Sequence, residues 1–144
     1  MLIPKTVEYA LRAVVWLASS ERPSQSREEI ARGTRVPAGY LSKVLNALKR
    51  AGILRSLPGR GGGFALQRPP DAISVLEIVS AIAPLQRIRT CPLGLASHGG
   101  RLCALHQRLD QALASTEAAF ATTSIADILS QPTESLPLCE MAGR

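Results

Sequence analysis

The sequence predicts a mainly α-helical fold: a winged helix-turn-helix with a small β-hairpin wing and a long C-terminal helix suited to dimerisation. Three observations predict it. Residues 26–51 read as two short helical patterns separated by a break. A glycine-rich hairpin follows at once, with Gly59, Gly61, Gly62 and Gly63 at its tip. Further on, Leu102, Leu105, Leu109, Ala112, Thr116 and Ala119 recur at alternating spacings of three and four, the seam of a coiled-coil-like contact.

Each element has a local cause. Residues 4–19 carry Val7, Leu11, Val14, Val15 and Ala18 at helical spacing, which predicts an amphipathic first helix. Glu8, Arg12 and Trp16 form a second stripe, and Glu8 can pair with Arg12 across one turn, a contact worth a few tenths of a kcal/mol at a surface. Ser26 followed by Glu29 is a capping box that opens a second helix. Gly33 is expected to stop it, because glycine tolerates left-handed geometry. Pro37 suits the first position of a third helix, where no N–H is needed. That helix presents Leu41, Val44, Leu45 and Leu48 on one face, with Ser42, Lys43, Asn46, Lys49 and Arg50 largely on the other. Ala51-Gly52 ends it. Ile53-Leu54 and Phe64-Ala65-Leu66 are the hairpin strands, and the glycines between them permit the positive φ of a tight tip.

Two prolines and an aspartate in residues 69–73 break the chain. Ser74 then caps a helix through Ala83, and Pro84 ends it. Residues 85–103 hold glycine, proline, serine and histidine without periodicity. A loop beyond about 12–15 residues is usually functional or disordered; Cys91 and Cys103 bracket much of this one, and His106 lies just past it. A long helix is expected over 104–121 and a short one over 124–130, followed by a flexible tail over 131–144. The implied organisation is a DNA-binding unit over 1–84, a cysteine-containing sensor loop over 85–103, and dimerisation and terminal helices over 104–130.

Composition narrows the function. The 144 residues include 46% apolar side chains and 3% aromatics, so one core packed by aliphatic groups is expected. No run reaches the ~20 apolar residues of a membrane span, and no signal peptide is legible; a cytoplasmic protein is the expectation. The net charge of +6 is concentrated: residues 1–70 hold 12 Lys/Arg against 4 Asp/Glu, and residues 71–144 hold 5 against 7. The helix-turn-helix and wing therefore carry the positive field that a phosphate backbone attracts. No nucleophile–base pair or paired carboxylates have persuasive spacing, which argues against an enzyme.

Several motifs together resemble one family. They are Tyr40-Leu41 with Leu48 and Ala51-Gly52, then Gly62-Gly63-Phe64 with Leu66, Pro69-Pro70 with Ile73-Ser74, and Glu77-Ile78-Val79. Over roughly residues 1–130 the chain resembles the iron–sulfur cluster regulator and nitric-oxide-sensitive repressor family of bacterial transcription factors (IscR, NsrR, RirA, CymR), sometimes called Rrf-two. The resemblance implies a homodimer on a partly palindromic double-stranded DNA operator, expected to act as a repressor. It implies that Tyr40, Ser42 and Lys43 lie nearest the bases in the major groove. Arg60 would enter the adjacent minor groove, while Lys49, Arg50 and Arg55 would contact phosphates. Members often carry arginine where this chain has Pro58, so minor-groove reading would lean on Arg60.

The resemblance also implies a ligand set for a [2Fe–2S] cluster: Cys91, Cys103 and His106, with Glu8 matching an acidic ligand of one branch. The middle cysteine is replaced by Ser97, a much poorer ligand than a thiolate. Glu8 of a partner subunit, His98 or Cys139 could complete the set. The alternatives at this point are a compensated cluster, no cluster, zinc on two cysteines and a histidine, or a reversible Cys91–Cys103 disulfide. Control by a regulatory protein partner or a small molecule, with the cysteines merely buried, is the rival expectation.

Overall fold

The computed structural model describes residues 3–132, Ser135 and Pro137. The expected tail, with Cys139, falls largely outside the described residues. The chain runs α1 (Lys5–Ala18), α2 (Arg27–Thr34), α3 (Ala38–Arg50), β1 (Leu54–Leu57), β2 (Gly63–Leu66), a 3-10 turn (Pro70–Ala72), α4 (Val75–Ile82), a second 3-10 turn (Ala96–His98), α5 (Ala104–Ala121) and α6 (Ile125–Ser130). The fold is mainly helical, with one antiparallel hairpin in the register Leu54↔Leu66 to Leu57↔Gly63.

α1 is the centre of the core because its apolar face is wide enough for three neighbours. It packs against α2, α3 and α4. Val7, Ala10, Ala13 and Val14 are fully buried; the two alanines let the neighbouring helices approach. α3 contributes Leu41, Leu45 and Leu48, each fully buried. Burying such a side chain is worth about 1.5–3 kcal/mol, so this face fixes how α3 is rolled and leaves its polar face outside.

Both expected helix starts are present. Ser26 accepts from the Glu29 amide while Glu29 accepts from the Ser26 amide. Ser74 and Glu77 repeat the arrangement at α4, and Ser124 and Asp127 at α6. The starts of α4 and α6 are also zipped by backbone: Val75 N–H donates to Thr123 and Ile125 N–H to Ile73, both at 2.9 Å. Ile125 is fully buried in the same core as α1 and α3. The terminal helix thus folds back onto the helix-turn-helix.

Two boundaries differ from expectation. Pro37 is the residue before α3, with extended ψ, and Ala38 is its first helical position. More informative is Gly33. α2 continues through it to Thr34, and Arg35 takes the left-handed conformation (φ 55°) in its place. Gly33 is needed for space: a Cβ there would overlap the Trp16 ring of α1. Glycine inside a helix normally costs about 1 kcal/mol relative to alanine; here it allows the Trp16 ring to lie flush against α2.

This reverses the usual sign of a helix substitution. Gly33→Ala is expected to destabilise the fold by about 1–3 kcal/mol through overpacking, read from urea unfolding. A gain in stability would show that the Trp16 ring is free to move aside.

Candidate nucleic-acid interface and cysteine loop

The wing is fastened to the helical body at several points. Gln25, just before α2, is 4% exposed. Its backbone forms a two-way bridge to Phe64 of β2, with N–H to O distances of 3.0 and 2.8 Å. Its side-chain carbonyl accepts from the Trp16 indole at 2.8 Å. Buried Ser24 donates to the Gly61 carbonyl at the wing tip, also at 2.8 Å. Gly63 sits at φ 132°, and a Cβ there would overlap the Gln25 backbone, so only glycine permits the bridge.

Held in this way, the wing and α3 become two walls of a cleft of about 320 Å³. Ser42 and Asn46 line it from α3; Gly59, Gly62, Gly63 and Phe64 line it from the wing; Ser26, Arg27 and Glu28 close it from the start of α2. Lys43, Lys49 and Arg50 are exposed on α3 beside it, and Arg55 and Arg60 are exposed on the wing. Four residues apart, Ser42 and Asn46 are separated by about 40° around the helix. Tyr40 lies about 120° from Asn46. It packs on Tyr9 of α1, with ring centroids 5.9 Å apart at 58°, and remains 52% exposed. The structure therefore places Tyr40 on the flank of α3, outside the cleft.

Sequence reasoning missed Arg27. Its guanidinium donates to the Ser42 hydroxyl at 3.2 Å and pairs with Glu28 at 3.3 Å. Glu28 has its pKa lowered by its backbone hydrogen bonding at the helix start and by Arg27, so it is ionised at neutral pH. The signal for Arg27 was its place beside the Ser26 cap, which sets the first turn of α2 against α3.

The cysteine loop is irregular, as expected, apart from the 3-10 turn. Its start is clamped to α5. Arg87 makes a two-pronged ion pair with Asp110 at 2.6 and 2.7 Å, and the Ile88 amide donates to the same carboxylate at 2.9 Å. The Arg87 hydrogen bond holds the Asp110 pKa down to about 2. Within the loop, Cys91 is half-buried. Hydrogen bonding from the Leu95 amide, with those of Leu93 and Gly94, lowers its thiol pKa. Such a ring of amides favours the thiolate, the form that reacts and binds metals. Cys103 is the capping residue just before α5, and its sulfur lies 3.3 Å from His106 Nδ1.

The donors are suitable in type for a thiolate-held metal or cluster but are not gathered into a site. No three His, Cys, Asp or Glu side chains among the described residues are placed to hold one ion. Cys103 and His106 are together; Cys91 is held separately by its own turn. Ser97 is exposed. Its neighbour His98 has a buried Nδ1 with no hydrogen-bond partner. Glu8 pairs with Arg12 at 2.7 Å, and Arg12 also donates to the Thr34 carbonyl at 3.2 Å. Within one chain Glu8 thus pairs with Arg12, the residue that ties α1 to the end of α2.

A helix-turn-helix followed by a wing, with basic side chains around a cleft between them, defines a DNA-binding transcriptional regulator. The match to known families makes the assignment more specific. Residues 3–131 match the Rrf2 family, described as an iron-dependent transcriptional regulator. The chain belongs to this family, and it is not an enzyme. It is 28% identical over 132 residues to a protein of Aquifex aeolicus (strain VF5) named for an inferred role as an HTH-type transcriptional regulator, covering 90% of this chain and 92% of that one. A similarly named protein of Mycobacterium tuberculosis (strain CDC 1551 / Oshkosh) is 30% identical over 130 residues, covering 89% and 81%. Among solved structures, T. potens IscR superposes with a TM-score of 0.75 at 21% identity, covering 92% of this chain and 88% of that one. CymR, the global cysteine regulator of B. subtilis, superposes at 0.72 and 20% identity, covering 88% and 94%. At these identities the two structures establish the fold. No helix among the described residues is long and apolar enough to cross a membrane.

Proposed function

We propose that the chain is a sequence-specific repressor that binds a partly palindromic operator as a homodimer and releases it in response to the Cys91–His106 loop. The observation that carries the DNA reading is the cleft between α3 and the wing, with Lys43, Lys49, Arg50, Arg55 and Arg60 exposed around it. α3 has the width of a major-groove reader. Arg60 at the wing tip is placed at the other wall, where an arginine can enter a narrow minor groove.

The homodimer reading rests on α5. Its seam residues Leu105 and Leu109 are 64% and 47% exposed, and Ala112 and Ala119 are exposed as well. No residue of α5 is buried in the single chain. A second copy of the same stripe would cover it and set the spacing of two reading heads.

Control follows from how the loop is joined. Arg87 ties its start to the middle of α5, and Cys103 is the first residue before that helix. A change of state between them acts on the helix that carries the dimer contact. Two chemistries suit the thiols. One is a [2Fe–2S] cluster on Cys91, Cys103 and His106, with Ser97 compensated by His98 or by Glu8 of a partner subunit; the unpartnered His98 Nδ1 favours His98. The other is oxidation of the Cys91 thiolate by a peroxide to a disulfide with Cys103. Control by a protein partner or small molecule would leave the thiols inert; the amide ring that lowers the Cys91 pKa weighs against that.

Two measurements check these readings. Lys49→Ala is expected to weaken binding to every duplex and to reduce the salt dependence of affinity by about one counterion; an unchanged slope would remove Lys49 from the footprint. Protein purified anaerobically with iron is expected to show visible charge-transfer absorbance that Cys91→Ala abolishes. If the wild type is colourless, Cys91→Ala should instead abolish any peroxide-driven loss of DNA affinity. A variant that behaves as the wild type in both assays would contradict control through Cys91.

A further inference from the structure

We infer that Asn46 is a specificity-determining residue that reads an adenine in the major groove of each half-site. The inference rests on the DNA reading above and deepens it. Asn46 is exposed, lies one turn beyond Ser42, and shares the cleft with the wing. The other side chains of this face are already committed or lack the chemistry. Gly39 has no side chain. The Ser42 hydroxyl donates to the Ala38 carbonyl and accepts from Arg27. Lys43, Lys49 and Arg50 carry donors only.

Asn46 alone on this face offers a donor and an acceptor side by side, and its carboxamide makes no hydrogen bond among the described residues. That pair matches adenine, which presents N7 as acceptor and its N6 amino group as donor in the major groove. Guanine presents two acceptors there and pairs better with lysine or arginine. The fit requires the carboxamide to be held at a fixed height over the base. α3 supplies this, because Leu41, Leu45 and Leu48 lock its opposite face into the core. Arg27 reinforces the arrangement by bracing Ser42 one turn below.

The test is selection of binding duplexes from a random library by wild-type protein and by Asn46→Ala, with affinities measured on the wild-type consensus. An exposed side chain can be truncated without loss of fold, and unfolding curves check this. The wild type is expected to enrich a two-fold motif containing an adenine that Asn46→Ala no longer requires, the other positions being retained. On the consensus, exchanging that adenine should weaken wild-type binding by about 10- to 100-fold and the variant little. A companion measurement uses the wild type alone on duplexes with 7-deazaadenine, which lacks the N7 acceptor. One adenine per half-site is expected to be sensitive. A variant motif identical to that of the wild type, or no adenine sensitive to loss of N7, would overturn the assignment to Asn46. Failure of the wild type to enrich any sequence would instead overturn the DNA reading itself.

Discussion

The placement of the wing beside α3, as the second wall of the cleft, depends on Gln25 more than on any other residue outside the hairpin's own base. It is nearly buried, it bridges Phe64 through its backbone, and its side chain accepts from Trp16. Without these bonds the wing would be held at its base alone, where Leu54 and Ala65 are buried against α3 and α1, and the rest of a two-stranded hairpin is marginal in water. With them, β2 gains a neighbour on its outer edge and the tip is held by Ser24. Leaving the Gln25 carboxamide unpaired would cost about 1–3 kcal/mol, so the wing position is coupled to the seat of Trp16 on α2. That seat needs Gly33. A chain of contacts therefore runs from a glycine in α2, through one indole and one carboxamide, to the wing.

The second constraint lies at the other end of the molecule. The long helix α5 has no residue buried in the single chain, so its place is set by a few strong contacts. The Arg87–Asp110 pair, with two short charged bonds and a backbone amide on one carboxylate, is one of them, beside the packing of α5 on α4 and of Phe120 on the core. Charge-assisted bonds of this kind are about twice as strong as neutral ones. The cysteine loop hangs between this clamp and the start of α5 at Cys103. Cys91, whose thiol pKa is lowered by backbone amides, sits within that span, next to a helix with no buried residue.

Much of the fold was legible because the local signals were strong. The capping boxes at Ser26 and Ser74, the period of α3 and the glycine cluster of the wing each have a single physical meaning, and the structure agrees with them. Gly33 was legible only as a glycine. Its actual purpose, room for Trp16, is a contact between two helices and leaves no trace in either one's pattern. Gln25 was invisible for the same reason: one bridge residue between a loop and a strand has no periodicity. Within the cleft, the exposed polar face of α3 was readable from spacing, but Tyr40 turned to its flank against Tyr9, and Arg27 entered from another helix. The irregularity of the cysteine loop was legible from its composition. Its geometry, with Cys103 near His106 and Cys91 held apart in its own turn, depends on backbone turns that the sequence does not encode by period.

The central claim is that α3 and the wing engage adjacent grooves of one duplex together. Dimethyl sulfate probes both at once, since it methylates guanine N7 in the major groove and adenine N3 in the minor groove. The measurement is a protection pattern of the wild-type protein on a duplex it has selected, beside that of Arg60→Ala. The account predicts, in each half-site, protected guanine N7 flanked by protected adenine N3, with only the adenine protection lost in Arg60→Ala. Protection confined to one groove in the wild type, or adenine protection unchanged in the variant, would contradict it.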